Sequence, residues 1–399
     1  MAALRTRRGV VAGMIGLAAA QPGRAQVASP VSPPASPPAS PLTLSVVDVA
    51  GNLALTRPAF EAYRKRNPKL VGRVVYSSAP APELPGKLRA QQAAGRVDID
   101  MVLTGTDALA AGLQQGVWEG LAPHMARLPD LQATLLPGAL AMQALAQGQA
   151  VINAYSPAGP LLEYLPDRVA QPPTTAEELL AWTRAHPNRF IYARPANSGP
   201  GRAFLMGLPY ILGDSNPRDP IGGWDKTWAY LQALGENIEY YPSGTGATMK
   251  EFGEGSRDMT VTITGWDINP RALGTVPKAA MVGTLKGFHF INDAHYMALP
   301  KGLAADRQAV LLDLMTYLLG QEAQAFTYDA GYFYPGPAAR GVPLTLAAQE
   351  SQDTLREFGR PFYDKLIADT PNETPLDAEP MVQAFHRWDE QVGAKAGRK

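Results

Sequence analysis

From Leu42 onward, short β-branched runs alternate with helical stretches, and this alternation restricts the fold more than any other feature of the chain. "LTLSVVDV" reads as a strand ending at Ala50 and Gly51. A helix with Phe60 and Tyr63 on one face follows, and Asn67-Pro68 stops it. The pattern repeats with "GRVVYSS", a helix over "ELPGKLRAQQAAG" closed by Gly95, a strand over "VDIDMVLTG", and a helix over "TDALAAGLQQG" closed by Gly116. Strands and helices in such regular succession predict an α/β fold with a parallel sheet covered on both faces.

Past "QAVINAYSPAGP" the alternation starts again. "PTTAEELLAWTRAHP" predicts a helix, with Thr175 and Glu178 at capping-box spacing and His186-Pro187 as its stop. "RFIYARP", "ENIEYYPSG" and "DMTVTITGWD" predict three more strands, and "AHYMALPKG" a strand able to rejoin the first sheet before helices run to the C-terminus. A chain of 399 residues has room for two such domains. The expected arrangement is a first domain interrupted by a second, with crossings near Ala154 and Gly265 and a cleft between them.

The first residues predict export. "MAALRTRRGVVAGMIGLAAAQPGRAQ" has a basic start, an apolar run too short to span a bilayer, and small residues before a cleavage point after Ala25. The pair Arg7-Arg8 resembles a twin-arginine signal without the apolar residue that normally follows, so twin-arginine and general secretory routes both stay open. The Pro/Ser/Ala tract over residues 26–41 predicts an extended tether. Lys+Arg and Asp+Glu both number 36, so no field favours nucleic acid, which is not expected as a partner. With no cysteine, thiolate metal sites, disulfides and a lipid-anchored N-terminal Cys are not expected. No cofactor or bound metal is expected either.

The ordered set "VDIDMVLTGTDALAAGLQQGVWEGL", "PTTAEELLAWTRAHPNRFIYARPANSGPGRAF", "TGWDINPRAL" and "AHYMALPKGLAADRQAVLLDLMTYLLGQEAQ" resembles the type II periplasmic solute-binding proteins that feed ABC importers. The resemblance runs from Leu42 to nearly the end. It implies two α/β lobes joined by two crossover strands, here 42–153 with 267–399 and 154–266. It also implies a ligand clamped between the lobes, no enzymatic step, and delivery by a periplasmic monomer to a membrane permease. The chain departs from polyamine-binding relatives in reading "VDVAGN" after the first strand, where they often carry an aromatic residue.

Ligand contacts are expected where strands end and helices begin. Asp48, Gly51 and Asn52 follow the first strand; Thr104, Thr106 and Asp107 follow the third, where Asp107 is equally readable as a helix cap. Tyr155 lies at the first crossing, as ligand contact or packing. In "RPANSGPGRAF", Asn197, Ser198 and Gly199 open a helix whose amides and dipole suit an anion, and Arg202 could pair with it. Trp266 beside Asp267 could receive a cation. The expected ligand is therefore a small charged organic solute of the zwitterion, aminoalkylphosphonate, thiamine or polyamine class. Two alternatives remain: a ferric-ion or oxyanion binder, and a secreted hydrolase using Ser198. Packing explains Tyr240 and Tyr241, a hairpin turn at "IND" explains His289, Asp293 and His295, and "SGTGATMKEFGEG" lacks the third glycine of a dinucleotide loop.

Overall fold

A computed structural model describes residues 38–394 apart from 82; the expected export signal and most of the expected tether lie outside them. Eleven strands are described: β1 Leu42–Asp48, β2 Val71–Ser78, β3 Met101–Thr104, β4 Ala150–Gly159, β5 Leu161–Tyr164, β6 Phe190–Ile191, β7 Met259–Thr262, β8 Met281–Gly283, β9 Phe290–Ala298, β10 Gly336–Pro337 and β11 Asn372–Glu373. They form a seven-stranded sheet in the order β10-β4-β9-β3-β1-β2, with β11 beside β9, and a four-stranded sheet in the order β6-β7-β5-β8. β1 is parallel to β2 and β3, and β9 returns antiparallel between β3 and β4.

Periodicity explains why the first elements form where they do. Helix Asn52–Arg66 buries Leu55, Ala59, Phe60 and Tyr63, a single stripe turned to the sheet. Helix Thr106–Gln115 stops at Gly116, whose φ of 65° is the left-handed conformation a glycine adopts freely. Thr175 caps helix Ala176–Ala185 by accepting from the Glu178 amide at 3.1 Å.

Several expectations are corrected. "ENIEYYPSG" forms no strand: its apolar side chains are satisfied by aromatic packing, Tyr241 sitting 4.9 Å from Tyr192 and 4.8 Å from Trp388 between ring centroids. The chain leaves the large sheet not at Ala154, which is mid-strand in β4, but after Gly159. The return is not at Gly265 either. Thr264–Ala272 is a helix, supported by Asp267 in its first turn and Arg271 in its last, and the chain stays with the small sheet through β8 before rejoining at Phe290. The C-terminal helix Ala378–Trp388 was expected with the large sheet. It packs on helix Thr106–Gln115 of that side and also inserts Met381, Ala384 and Trp388 into the apolar cluster of the small sheet, with Tyr192, Phe204 and Met259, so it touches both regions.

A buried charge network fastens the small-sheet region to the C-terminal segment. Asp267 is fully buried. Its carboxylate accepts from Arg271 at 3.1 and 3.0 Å, from Arg360 at 3.0 and 2.7 Å, and from the Tyr363 hydroxyl at 2.6 Å. Arg271 also donates to the Phe358 carbonyl and Arg360 to that of Ala280. Glu163 of β5 is buried near this network with neither carboxyl oxygen partnered. Burial, and then the charge of Asp267, push its carboxyl well above the usual carboxylate range against the pull of Arg271 and Arg360.

Two outcomes follow from that network. Asp267→Asn leaves two buried guanidinium groups without a counter-charge and should cost about 3–5 kcal/mol in denaturant unfolding. For Glu163, the folded protein holds a proton that the unfolded chain releases above the ordinary carboxylate value. The stability this supplies at acid pH is lost as pH rises toward the folded value. Glu163→Gln cannot ionise, so its advantage over wild type in thermal unfolding should widen from pH 5 to pH 8; a gap that shrinks with pH would mean an ionised, paired Glu163.

Candidate ligand-binding site

A cavity of about 180 Å³ lies where five helices begin. Gly51 precedes helix Asn52–Arg66, and Gly105 precedes helix Thr106–Gln115. Ser198 caps helix Gly199–Leu212, Thr245 and Gly246 open helix Thr245–Gly253, and Ile263 precedes helix Thr264–Ala272. All of these residues line the cavity. The positive ends of the helix dipoles therefore converge on one space. Some of their amides are already taken: Asp48 accepts from Asn52 at 2.9 Å and Leu53 at 3.0 Å, and Ser198 Oγ from Gly201 at 3.1 Å. The helix at Thr245 has no capping side chain, because Gly244 precedes it. A hydroxyl bond between Ser198 and Thr245, 2.8 Å long, ties these two helix starts together.

Opposite charges meet in the same wall. Arg202 Nη1 donates to Asp107 Oδ2 at 3.0 Å, and its Nη2 donates to Asp293 Oδ2 at 2.7 Å. Their side chains are 7, 12 and 9% exposed, so the bridge is nearly dry. Burial works against the charged guanidinium, but Asp293 and Asp107 outweigh it and hold Arg202 above its ordinary value. Two carboxylates against one guanidinium leave an excess negative charge. Gly199 permits the close approach: a side chain's first carbon there would stand 3.2 Å from Asp293 Oδ2.

The remaining wall is aromatic. Trp266 packs edge-on to Tyr332 at 5.5 Å between centroids, and His295 stacks on Phe333 at 4.2 Å. Gly51 has φ 78°, and a side chain there would run into the Tyr332 hydroxyl, so both backbone and packing require glycine.

Of the residues singled out in the sequence as ligand contacts, Gly51, Asp107, Asn197, Ser198, Gly199, Arg202 and Trp266 surround the cavity. The others stand behind it. Asp48 caps a helix, Asn52 exchanges side-chain hydrogen bonds with Asn153 at 3.0 and 3.2 Å, and Thr104 bonds the Gly105 carbonyl. Thr106 donates to Asp293 Oδ1 at 3.0 Å, fixing that carboxylate for Arg202. Tyr155 lines a separate cavity with Gly138 and Tyr334, its hydroxyl pushed up to about 12 by burial. Asp267 is not a vacant partner for a cation. Adjacent helical residues point about 100° apart, so while Trp266 reaches the cavity Asp267 faces its arginines. Nor is Arg202 unengaged, since two carboxylates hold it.

The sequence reading missed Asp293 and His295, since "IND" lies within β9 rather than in a turn; their period-two spacing put them on one strand face. It also passed over Thr245 and Gly246, whose Gly-Thr-Gly helix start follows the same logic as "NSGPGR". Tyr332 and Phe333 carried no local signal. Tyr240 hydrogen-bonds Glu251 and Tyr241 packs on Tyr192, both outside the lining of this cavity. Among the described residues no group of three or more His, Cys, Asp or Glu could hold a metal ion.

Solved structures share this architecture. The periplasmic thiamin binding protein is 16% identical at a TM-score of 0.61, over 91% of this chain and 99% of that one. The periplasmic binding protein AfuA of Actinobacillus pleuropneumoniae, bound to fructose-6-phosphate, is 13% identical at 0.62, over 88% and 98%. The spermidine/putrescine transporter substrate-binding protein PotD of Streptococcus pneumoniae is 12% identical at 0.60, over 88% and 99%. Identities this low carry the two-lobed α/β fold and no shared ligand. None of the curated proteins compared matches in sequence. No helix among the described residues is long and apolar enough to cross a membrane. The bacterial extracellular solute-binding protein family matches residues 59–354, and the chain belongs to that family, with its type II fold.

Proposed function

We propose that the protein captures a small organic solute carrying both charges, closes two lobes on it without a catalytic step, and delivers it from the periplasm to the permease of an ABC importer. The observation that carries this reading is the bipolar wall of the cavity. Uncapped amides at Thr245 and Gly246, beside Ser198, suit a carboxylate, phosphonate or phosphate. Asp107 and Asp293 exceed Arg202 by one negative charge in a cavity that Trp266 and Tyr332 also line, which suits an ammonium group. A polyamine would satisfy only the acidic side. Support comes from two proteins of the same fold, a periplasmic thiamin binding protein and one bound to fructose-6-phosphate. The cavity volume suits a molecule of amino-acid size.

The lobes in this reading are the regions around the two sheets, hinged where the chain changes sheet, after Gly159 and between Gly283 and Phe290. Arg202 packs with the small sheet's cluster through its helix, whereas Asp107 and Asp293 belong to the large-sheet side, so their bridge spans the cleft. Closure is favoured by whatever the ligand adds to contacts on both sides.

A thermal-shift panel separates the readings. The zwitterions γ-aminobutyrate and 2-aminoethylphosphonate should raise the melting temperature, while putrescine and inorganic phosphate, each bearing one sign, should raise it little. Stabilisation by phosphate alone would make the protein an oxyanion binder. X-ray scattering of the monomer should show a smaller radius of gyration with a saturating zwitterion; an unchanged value counts against the clamp. Arg202→Ala strands Asp107 and Asp293 and should cost about 3–5 kcal/mol of stability in chemical denaturation. Retained stability would mean that the two carboxylates are solvated in solution.

A further inference from the structure

Across the large sheet from the cleft lies a second cavity, of about 410 Å³, with Tyr155 in its wall. Tyr155 of β4 pairs with Ala294 of β9, whose neighbours Asp293 and His295 turn to the cleft, so strand alternation puts the Tyr155 ring on the opposite face. The residue is only 8% exposed. Its hydroxyl bonds to no protein group among the described residues, yet it is not sealed off as the carboxyl oxygens of Glu163 are. Because Tyr155 is otherwise enclosed, that hydroxyl opens into the cavity it lines. A largely buried polar group left in this state calls for a partner from outside the chain.

A helix start stands beside the hydroxyl. Helix Pro137–Ala144 is preceded by Leu136, which offers no capping side chain, so amides of its first turn are unclaimed. Gly138 in that turn also lines the cavity, and a side chain there would run into the Tyr155 hydroxyl. Hydrogen-bond donors therefore gather at one end of the space. Its middle is apolar, walled by the rings of Tyr155 and Tyr334 with Pro157, Pro335 and Ile367. At the rim stands the Asp364 carboxylate, which accepts from the Tyr334 hydroxyl at 2.8 Å.

This lining decides the class of occupant. Burial raises the Tyr155 phenol, which thus keeps its proton and donates at ordinary pH. An anion would meet the Asp364 charge in an apolar setting, whereas a neutral acceptor would not. We propose that this cavity is a second binding site, for a small neutral aromatic molecule whose carbonyl oxygen accepts from the Tyr155 hydroxyl beside Gly138. The site is independent of what the cleft holds, since no residue lines both cavities.

Benzamide is the probe, titrated against the full chain by saturation-transfer NMR, with benzoate and toluene in parallel. Wild type should bind benzamide saturably and more tightly than the other two, because benzoate brings a charge toward Asp364 and toluene has no acceptor. Tyr155→Phe keeps the ring and loses the donor, and should weaken benzamide about fivefold. Gly138→Ala puts a methyl group where the hydroxyl stands and should weaken it further. Wild type that binds no benzamide, or Tyr155→Phe that binds it as tightly as wild type, overturns the proposal. So does benzoate as the tightest of the three, which would make the site an anion site.

The ligand-free proteins supply a second readout. A hydroxyl with no protein partner adds nothing to the folded state, so Tyr155→Phe should melt at or above the wild-type temperature. A clearly lower melting temperature would show that the hydroxyl is bonded within the protein, and the proposal would fall.

Discussion

Arg202 held between Asp107 and Asp293 sets both the shape of the cleft and its charge. A planar guanidinium with two carboxylates at 3.0 and 2.7 Å can be dry because each charge has a partner. None of the three groups could be buried alone, since an uncompensated ion in that setting costs several kcal/mol. The bridge therefore brings the start of helix Gly199–Leu212 down onto β9, and Gly199 leaves room for the contact. Its stoichiometry also leaves one negative charge over, which is a property of the cavity and not of the bridge.

That surplus faces the starts of helices. Asp48 and Ser198 satisfy some of the free amides, and the helix at Thr245 keeps its own. The result is a small space lined by groups of both polarities and walled by Trp266, Tyr332 and Phe333. Several polar residues near it serve as framework. Thr106 orients Asp293, and the Asn52–Asn153 pair locks helix Asn52–Arg66 to β4. Polar side chains at strand ends are next to helix amides and to one another, so local bonds claim them before a ligand can.

Much of the architecture was readable from periodicity, because helices such as Asn52–Arg66 and Ala176–Ala185 carry their stripe, cap and stop within a few residues. The sheet assignments depended on pairing between distant segments, which no local pattern encodes. Thus "TVTITGWD" looked like a continuing strand, although Asp267 and Arg271 mark a helix. At the site, "NSGPGR" was legible as a helix start, whereas the engagement of Arg202 depended on Asp293, which lies 91 residues away in sequence. Asn-Asp composition suggested a turn, and its location inside β9 hid both Asp293 and His295. The Trp266–Asp267 pairing failed on helix geometry, since neighbours along the chain diverge around the axis.

The most direct measurement is a crystal structure of the protein loaded with the zwitterion that stabilises it most. The account predicts the anionic end at the Thr245 and Gly246 amides and the ammonium nitrogen within hydrogen-bond distance of Asp107 or Asp293, with Asp267 still enclosed by Arg271 and Arg360. A ligand whose anion is gripped by an Arg202 released from both carboxylates, with its cation touching neither, would contradict it.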